Sequence, residues 1–254
     1  DWLKTMLKPF SLMSQANMNV TGGNNFAKYF VSMSYLRQNG LYNFEDQIKQ
    51  YDIQAITNKY NFRSNIDLQI SKDLSMELNL GAIVRDRNYP GTSASDLFTA
   101  MKQTPAWYFP LLNPDGSIPG IQQTGQSPYG KLVNTGYERD FETTLQSTAG
   151  FKWDMHHFLK GLSSRVRLSF DNVNYRNVTR SLDGSYYQYN LKDGIKADTV
   201  TDLYLDGEYS TIYSGTGTLG YTVAANGTRR TTLEGYLNYD NSYGKHAVHA
   251  VVVY

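Results

Sequence analysis

The chain is predicted to be all-β, an antiparallel transmembrane β-barrel segment of about eight strands, because apolar and polar side chains alternate through stretches of about ten residues each. Four tight turns and three long, aromatic-rich connections alternate between those stretches without exception. Outer-membrane barrels have this plan, with short turns at one rim and longer loops at the other. The pattern is sharpest over residues 162–170, where Leu162, Ser164, Val166, Leu168 and Phe170 share one face and Ser163, Arg165, Arg167 and Ser169 the other. An arginine facing lipid near the midplane costs about 2 to 4 kcal/mol, so two of them would rival a domain's stability of about 5 to 15 kcal/mol. The arginines therefore face the lumen and the leucines face hydrocarbon.

The first strand is expected over residues 13–21 and reverses at Gly22, Gly23, Asn24 and Asn25, residue types that tolerate the positive φ of tight hairpins. Residues 27–38 return with Tyr29, Val31, Met33 and Tyr35 on one face, while Phe30 and Leu36 interrupt the polar one. A connection over 39–59 leads to residues 60–70, where Phe62, Ile66, Leu68 and Ile70 oppose Arg63, Asn65, Asp67 and Gln69. Ser71, Lys72 and Asp73 then turn the chain into residues 74–85, where Leu74, Met76, Leu78, Leu80, Ala82 and Val84 oppose Ser75, Glu77, Asn79 and Gly81. Twelve residues at about 3.3 Å each, tilted near 45 degrees, cross an apolar band of about 25 Å.

Residues 86–140 make a very long connection, and connections beyond about 15 residues are uncommon in compact soluble domains unless functional. In the next strand, 141–154, Phe141, Leu145, Ala149, Phe151 and Trp153 oppose Glu142, Gln146, Lys152 and Asp154. A turn at 156–161 leads to the strand over 162–175. The connection over 176–230 is rich in Tyr, Asp and Gly, and its 210–223 part is expected to extend the flanking strands. Strands at 231–240 and 246–254 flank the last turn, 241–245. On this reading Arg63, Asp67, Glu77, Arg85, Glu142, Arg165, Arg167 and Asp171 line a hydrated interior, and Ile66, Leu68, Leu78, Leu80, Leu145, Val166 and Leu168 face lipid.

With 19% charged and 40% hydrophobic residues and a mean hydropathy of -0.50, the chain is too polar for a helical membrane protein, and it holds no run of eighteen apolar residues. A barrel needs an apolar residue only at every second strand position, so its mean stays hydrophilic. The competing reading is a soluble or surface-displayed all-β carbohydrate-binding domain. No cysteine is present, which removes disulfides, thiolate metal sites and cysteine nucleophiles. A net charge of +1 gives no case for nucleic acid as a partner. The 21 tyrosines suit membrane interfaces and sugar or peptide contacts alike, since each couples an apolar ring to a polar tip. No signal peptide opens the chain, and residues 247–254 stop within a strand-like run, so an internal fragment is expected.

Asn19-Val20-Thr21-Gly22-Gly23, Lys28-Tyr29-Phe30-Val31-Ser32, Tyr35-Leu36 with Asn39-Gly40-Leu41-Tyr42, and Asn61-Phe62-Arg63-Ser64-Asn65 together resemble the barrel of SusC/RagA-type TonB-dependent transporters. Asp1-Trp2, Tyr236-Leu237-Asn238-Tyr239 and Tyr243-Gly244-Lys245-His246 extend the resemblance over most of the chain, in the family's order. It implies that residues 1–254 are a partial barrel domain, a middle portion of a 22-stranded outer-membrane barrel whose plug, TonB box and other strands lie elsewhere. The implied function is import of glycan oligosaccharides or oligopeptides across the bacterial outer membrane, without catalysis or a cofactor. The implied partners are a SusD-like surface lipoprotein lid, the TonB energy-coupling complex, the lipid bilayer, and a second transporter–lipoprotein pair to form a dimer.

Other motifs carry less. Gly215-Thr216-Gly217-Thr218-Leu219-Gly220 has the spacing of a dinucleotide loop, but β-prone Tyr221-Thr222-Val223 follows where a helix is required. His156 and His157 are adjacent and could not chelate from one strand face, where neighbouring side chains point apart; they fall in the turn expected at 156–161 and are read as solvated, with no metal site expected. No Gly-x-Ser-x-Gly elbow or other catalytic set is found. Asn113, Asp115, Asp183, Asp193, Asp202 and Asp206 have the chemistry to ligate calcium, against the plainer reading of solvated turns. The best ligand-binding candidates are Trp107, Tyr108 and Phe109, whose rings would stack on sugars or peptide side chains; the alternative is that they fold inward as the loop's own small core.

Overall fold

A computed structural model describes residues 1–43, 51–191 and 207–254. Its elements run α1 (Trp2–Met6), β1 (Met13–Gly23), β2 (Ala27–Asn39), β3 (Ile56–Gln69), β4 (Leu74–Pro90), α2 (Ala94–Gln103), β5 (Gly120–Ile121), β6 (Gly125–Gln126), α3 (Pro128–Val133), β7 (Gly136–Asp154), β8 (Leu162–Ser181), β9 (Tyr186–Leu191), β10 (Gly207–Tyr213), β11 (Thr222–Tyr243) and β12 (His246–Val253). Eight long strands form one antiparallel sheet in the order β1-β2-β3-β4-β7-β8-β11-β12. Every strand expected from the sequence is there, next to its chain neighbour. The sheet is open: β12 bonds to β11, from Tyr236↔Val253 to Tyr243↔His246, and does not pair with β1 among the described residues.

The strands are longer than side-chain alternation suggests. β4 runs on to Pro90 and β7 starts at Gly136, with pairing unbroken from Leu74↔Trp153 to Pro90↔Tyr137. β8 and β11 likewise climb together as far as Thr179↔Thr222. Beyond the apolar band the ladder of backbone bonds persists while the alternation that marks a strand fades, so the sequence pattern falls short of the upper ends of β3, β4, β7, β8 and β11. The expected extension over 210–223 divides in two: β10 forms a separate hairpin with β9, and only from Thr222 does the chain join the main sheet. Short helices occupy the connection after β4, where Ser93 caps α2 by accepting from the Asp96 N–H at 3.1 Å and Ser127 caps α3 ahead of Pro128.

Register assigns every strand residue to a face. Ile66, Leu78, Ala149, Leu168 and Leu233 form one cross-strand row on the apolar side, and Asp67, Glu77, Gly150, Arg167 and Glu234 form a row on the other. The apolar side chains are the exposed ones, with Leu168 at 48% and Leu233 at 66%, which inverts the arrangement of a soluble sheet. From Trp153 to Phe141 the apolar face of β7 rises about 28 Å at a tilt near 45 degrees, matching a band of about 25 Å. Aromatics border it at both ends: Trp153 and Phe158 meet edge-on at 5.8 Å beside the short turns, and Tyr35 and Tyr60 lie 5.0 Å apart toward the long connections. Past that upper border the same face carries charge, as Arg139 grips Asp86 through two hydrogen bonds of 3.0 and 2.7 Å. On β11 the face turns polar sooner, at Arg229, as tilted strands require.

The water-excluded core lies outside the sheet. Trp2, Met6, Tyr42, Ile53, Leu97, Met101, Phe109, Tyr129, Leu132 and Val133 pack into one cluster that welds α1, α2 and α3 into a cap at the long-connection rim. Placing arginine at Leu168 is expected to lower the unfolding free energy in lipid vesicles by about 2 to 4 kcal/mol. Thr232→Lys, on the charged face beside Glu234, is expected to change it by less than about 1 kcal/mol. Equal costs at the two positions, measured by denaturant titration, would contradict the assignment of faces.

Candidate functional site

On the charged face Glu77 of β4 reaches two strands away, to Arg165 at 2.5 Å and Arg167 at 3.5 Å on β8. β7 lies between them, and the reach is open because residue 150 is glycine: a Cβ there would stand 2.5 Å from Glu77 Oε1. Arg167 also approaches Glu234 on β11 at 3.8 Å, so the pairs chain across three neighbouring pairings of the sheet. A second set lies nearer the cap, with Arg85 on Glu142 at 2.8 Å and Arg87 on Asp140 at 3.2 Å. Tyr175 and Asn177 both donate to Asp140 Oδ1, at 2.8 and 2.7 Å. Some capacity is left over, since Glu77 Oε1, Arg87 Nε and Arg167 Nε have no hydrogen-bond partner among the described residues. The five residues read as lumen-facing, Arg63, Asp67, Glu77, Arg165 and Arg167, all share this face by register.

A cleft of about 320 Å³ opens in the cap between the Tyr108–Ile121 stretch and β9, with Tyr108, Phe109, Asn113, Pro119, Tyr187 and Tyr189 in its walls. The Tyr187 N–H donates to the Ile118 carbonyl at 2.9 Å, and Asn113 Nδ2 donates to the Tyr187 carbonyl at 3.3 Å, which docks the β9–β10 hairpin on the preceding connection. Stacked tyrosines stiffen the hairpin, Tyr186 on Tyr213 at 5.3 Å, and the Tyr213 hydroxyl donates to Asp183 at 2.7 Å. That bond holds the Tyr213 phenol above its usual range.

The aromatic run divides. Trp107 projects into solvent at 81% exposure, Tyr108 is half-buried in the cleft, and Phe109 at 7% belongs to the cap core. The inward-folding alternative thus describes Phe109, while the rings of Trp107 and Tyr108 stay accessible. Tyr187 and Tyr189, not singled out in sequence, complete the cleft; their signal is the tyrosine cluster Tyr186-Tyr187-Gln188-Tyr189 in a polar connection. The calcium candidates are occupied locally, as Asn113 donates to Ser117 Oγ at 2.9 Å, Asp115 accepts from the Ser117 N–H and Asp183 accepts from Tyr213. Asp193, Asp202 and Asp206 lie outside the described residues. His156 and His157 sit in the turn where the sequence places them, and there, instead of standing free in solvent, both rings close on Asp73.

An open antiparallel wall, apolar outside and charged inside, with a folded cap on one rim, defines an outer-membrane-type barrel. No family model matches the chain. It is 28% identical to TonB-dependent receptor P26 of Formosa agariphila over 135 residues, 52% of this chain and 12% of that protein. Its fold matches a chain of the RagAB peptide importer in the closed-closed state, with a TM-score of 0.52, 15% identity and coverage of 94% of this chain and 31% of that one. A further structure of the RagAB peptide transporter gives 0.51 at 16% identity. The chain thus spans under a third of the relatives it matches. Its resemblance to a segment of a SusC/RagA-type TonB-dependent transporter is supported by sequence and by fold.

Replacing Gly150 with valine is expected to push Glu77 off Arg165 and lower stability by about 1 to 3 kcal/mol, as for a buried charge deprived of its partner; Gly235→Val, which meets no atom within 4 Å, provides the control in the same denaturant series. A second expectation concerns the cap, where burial pushes the phenols of Tyr42 and Tyr51 up. The unfolded chain ionises near pH 10 while the folded cap keeps its protons, so cap stability falls as pH rises past about 10. Proteolysis of the connection after β4, followed against pH, should accelerate there while far-ultraviolet dichroism of the sheet persists.

Proposed function

We propose that residues 1–254 form part of the wall and outer cap of a non-enzymatic importer in the bacterial outer membrane. It takes up oligopeptides or glycan oligosaccharides beneath a SusD-like lipoprotein lid and is powered by TonB through a plug supplied from outside these residues. One observation carries this reading: the sheet's apolar face is exposed while its charged face is knitted by ion pairs such as Glu77 with Arg165 and Arg167. In a soluble carbohydrate-binding domain the apolar face would be covered, because exposed apolar patches beyond a few hundred Å² mark membrane or protein contacts. The unmet polar atoms of Glu77, Arg87 and Arg167 suit a wall that meets a polar plug. The aromatic cleft of Tyr108, Tyr187 and Tyr189 with exposed Trp107 offers rings to peptide side chains or sugar faces, and the RagAB neighbours favour peptides. A dimer of transporter–lipoprotein pairs is the assembly this reading carries.

The test is uptake by cells expressing the intact protein, with labelled oligopeptides and, in parallel, labelled oligosaccharides. Trp107→Ala with Tyr187→Ala is expected to reduce uptake of one class by about tenfold, in keeping with aromatic contacts of about 0.5 to 1.5 kcal/mol each, with membrane content unchanged. Extraction of the protein by buffer without detergent would overturn the membrane assignment, and undiminished uptake by the double variant would remove the cleft from the cargo path.

A further inference from the structure

At the short-turn rim two hairpin turns meet because β4 and β7 are neighbours: the Asp154 N–H donates to the Asp73 carbonyl at 2.7 Å. That pairing carries Asp73, from the β3–β4 turn, to His156 and His157, from the β7–β8 turn, the latter 84 residues away in sequence. His157 Nε2 lies 3.1 Å from Asp73 Oδ2 and His156 Nδ1 lies 3.5 Å from Asp73 Oδ1. A second carboxylate, Asp154, stands 3.4 Å from the same His156 nitrogen. One ligand atom from each of Asp73, His156 and His157 can be chosen so that all lie within 4.8 Å of one another.

Neighbouring ligands of one tetrahedral zinc ion stand about 3.3 Å apart, given Zn–N and Zn–O bonds near 2.0 to 2.2 Å, and each imidazole stands near that distance from its own oxygen of Asp73, His156 from Oδ1 and His157 from Oδ2. The turn is built, not loose. His156 N–H donates to Asp154 Oδ1 at 3.0 Å, Phe158 and Leu159 N–H donate to the Met155 carbonyl at 2.9 and 3.2 Å, and Phe158 packs on Trp153. Gly161 at φ 88 closes it, and its carbonyl accepts from the Asp240 N–H at 2.8 Å. The imidazole rings are tilted by 39° with 3.9 Å between centroids, a closeness that two imidazolium cations would oppose. Lys72 and Lys160 occupy the same turns, yet neither pairs with Asp73 among the described residues.

We propose that Asp73, His156 and His157 bind a divalent transition metal of the zinc class at the short-turn rim, with Asp154 or water as the remaining ligand. The ion pins the β3–β4 turn to the β7–β8 turn. Its ligands must be deprotonated, so affinity falls as the solution is acidified.

Isothermal titration of the intact, detergent-purified protein with zinc chloride tests the site. The expected result is one zinc ion more in the wild type than in His157→Ala or His156→Ala, each substitution weakening that site by at least about tenfold, since even an outer-shell partner is worth about 10- to 100-fold. Asp73→Asn should weaken it as well. His249→Ala, which removes the separate imidazole 3.1 Å from Asp240, should leave it intact. Identical titrations for the wild type, His156→Ala and His157→Ala overturn the proposal, as does loss of the site in His249→Ala.

Discussion

Hydrocarbon offers no hydrogen bonds, and each orphaned peptide group within it costs several kcal/mol; nearly everything in this chain answers to that constraint. It forces the backbone of β1, β2, β3, β4, β7, β8, β11 and β12 into one continuous ladder, and the ladder forces side chains to alternate between two solvents. Once Leu168 and Val166 face outward, Arg167 and Arg165 have no alternative but the other side. There they do not stand as isolated charges. Glu77 collects them across an intervening strand through the opening left at Gly150, so a single residue without a side chain allows one carboxylate to link β4 with β8.

The same constraint explains what the sequence made legible. Strand number, order, turn positions and the placement of Arg63, Asp67, Glu77, Arg165 and Arg167 on one shared face are legible because lipid imposes a period of two that no other environment enforces so strictly. Where lipid ends, that period ends too. The upper parts of β4, β7, β8 and β11 keep their pairing with mixed side chains, so residues such as Asn88, Arg139 and Asn177 carry no strand signal. The helices of the cap had left one: Ser93 with Asp96 three residues on, and Ser127 followed by Pro128, are helix-start patterns. They were masked by length, since α2 and α3 are too short to show an apolar stripe.

The cap follows ordinary water-soluble physics. Trp2, Met6, Ile53, Leu97 and Leu132 come from distant parts of the chain and meet only because the strands deliver their ends to one rim. No local pattern announces such a core, which is why the fate of Trp107, Tyr108 and Phe109 was open in sequence: adjacent residues, near-identical chemistry, and three different degrees of burial. The burial of Phe109 anchors the stretch, and that anchoring leaves Tyr108 to line the cleft and Trp107 to reach outward.

At the opposite rim the turns are too short to hold a core, and placement comes from strand register alone. Adjacent histidines on a strand must diverge, but His156 and His157 fall in the turn that the sequence places at 156–161. In a turn the rule lapses, and what then decides their neighbours is which strands lie side by side. The connection between β4 and β7 leaves from and returns to adjacent positions in the sheet, so whatever it builds above, it also sets Asp73 beside Asp154 below. The two rims are thus coupled by topology: an excursion that folds the cap on one side of the membrane band fixes the composition of a side-chain cluster on the other.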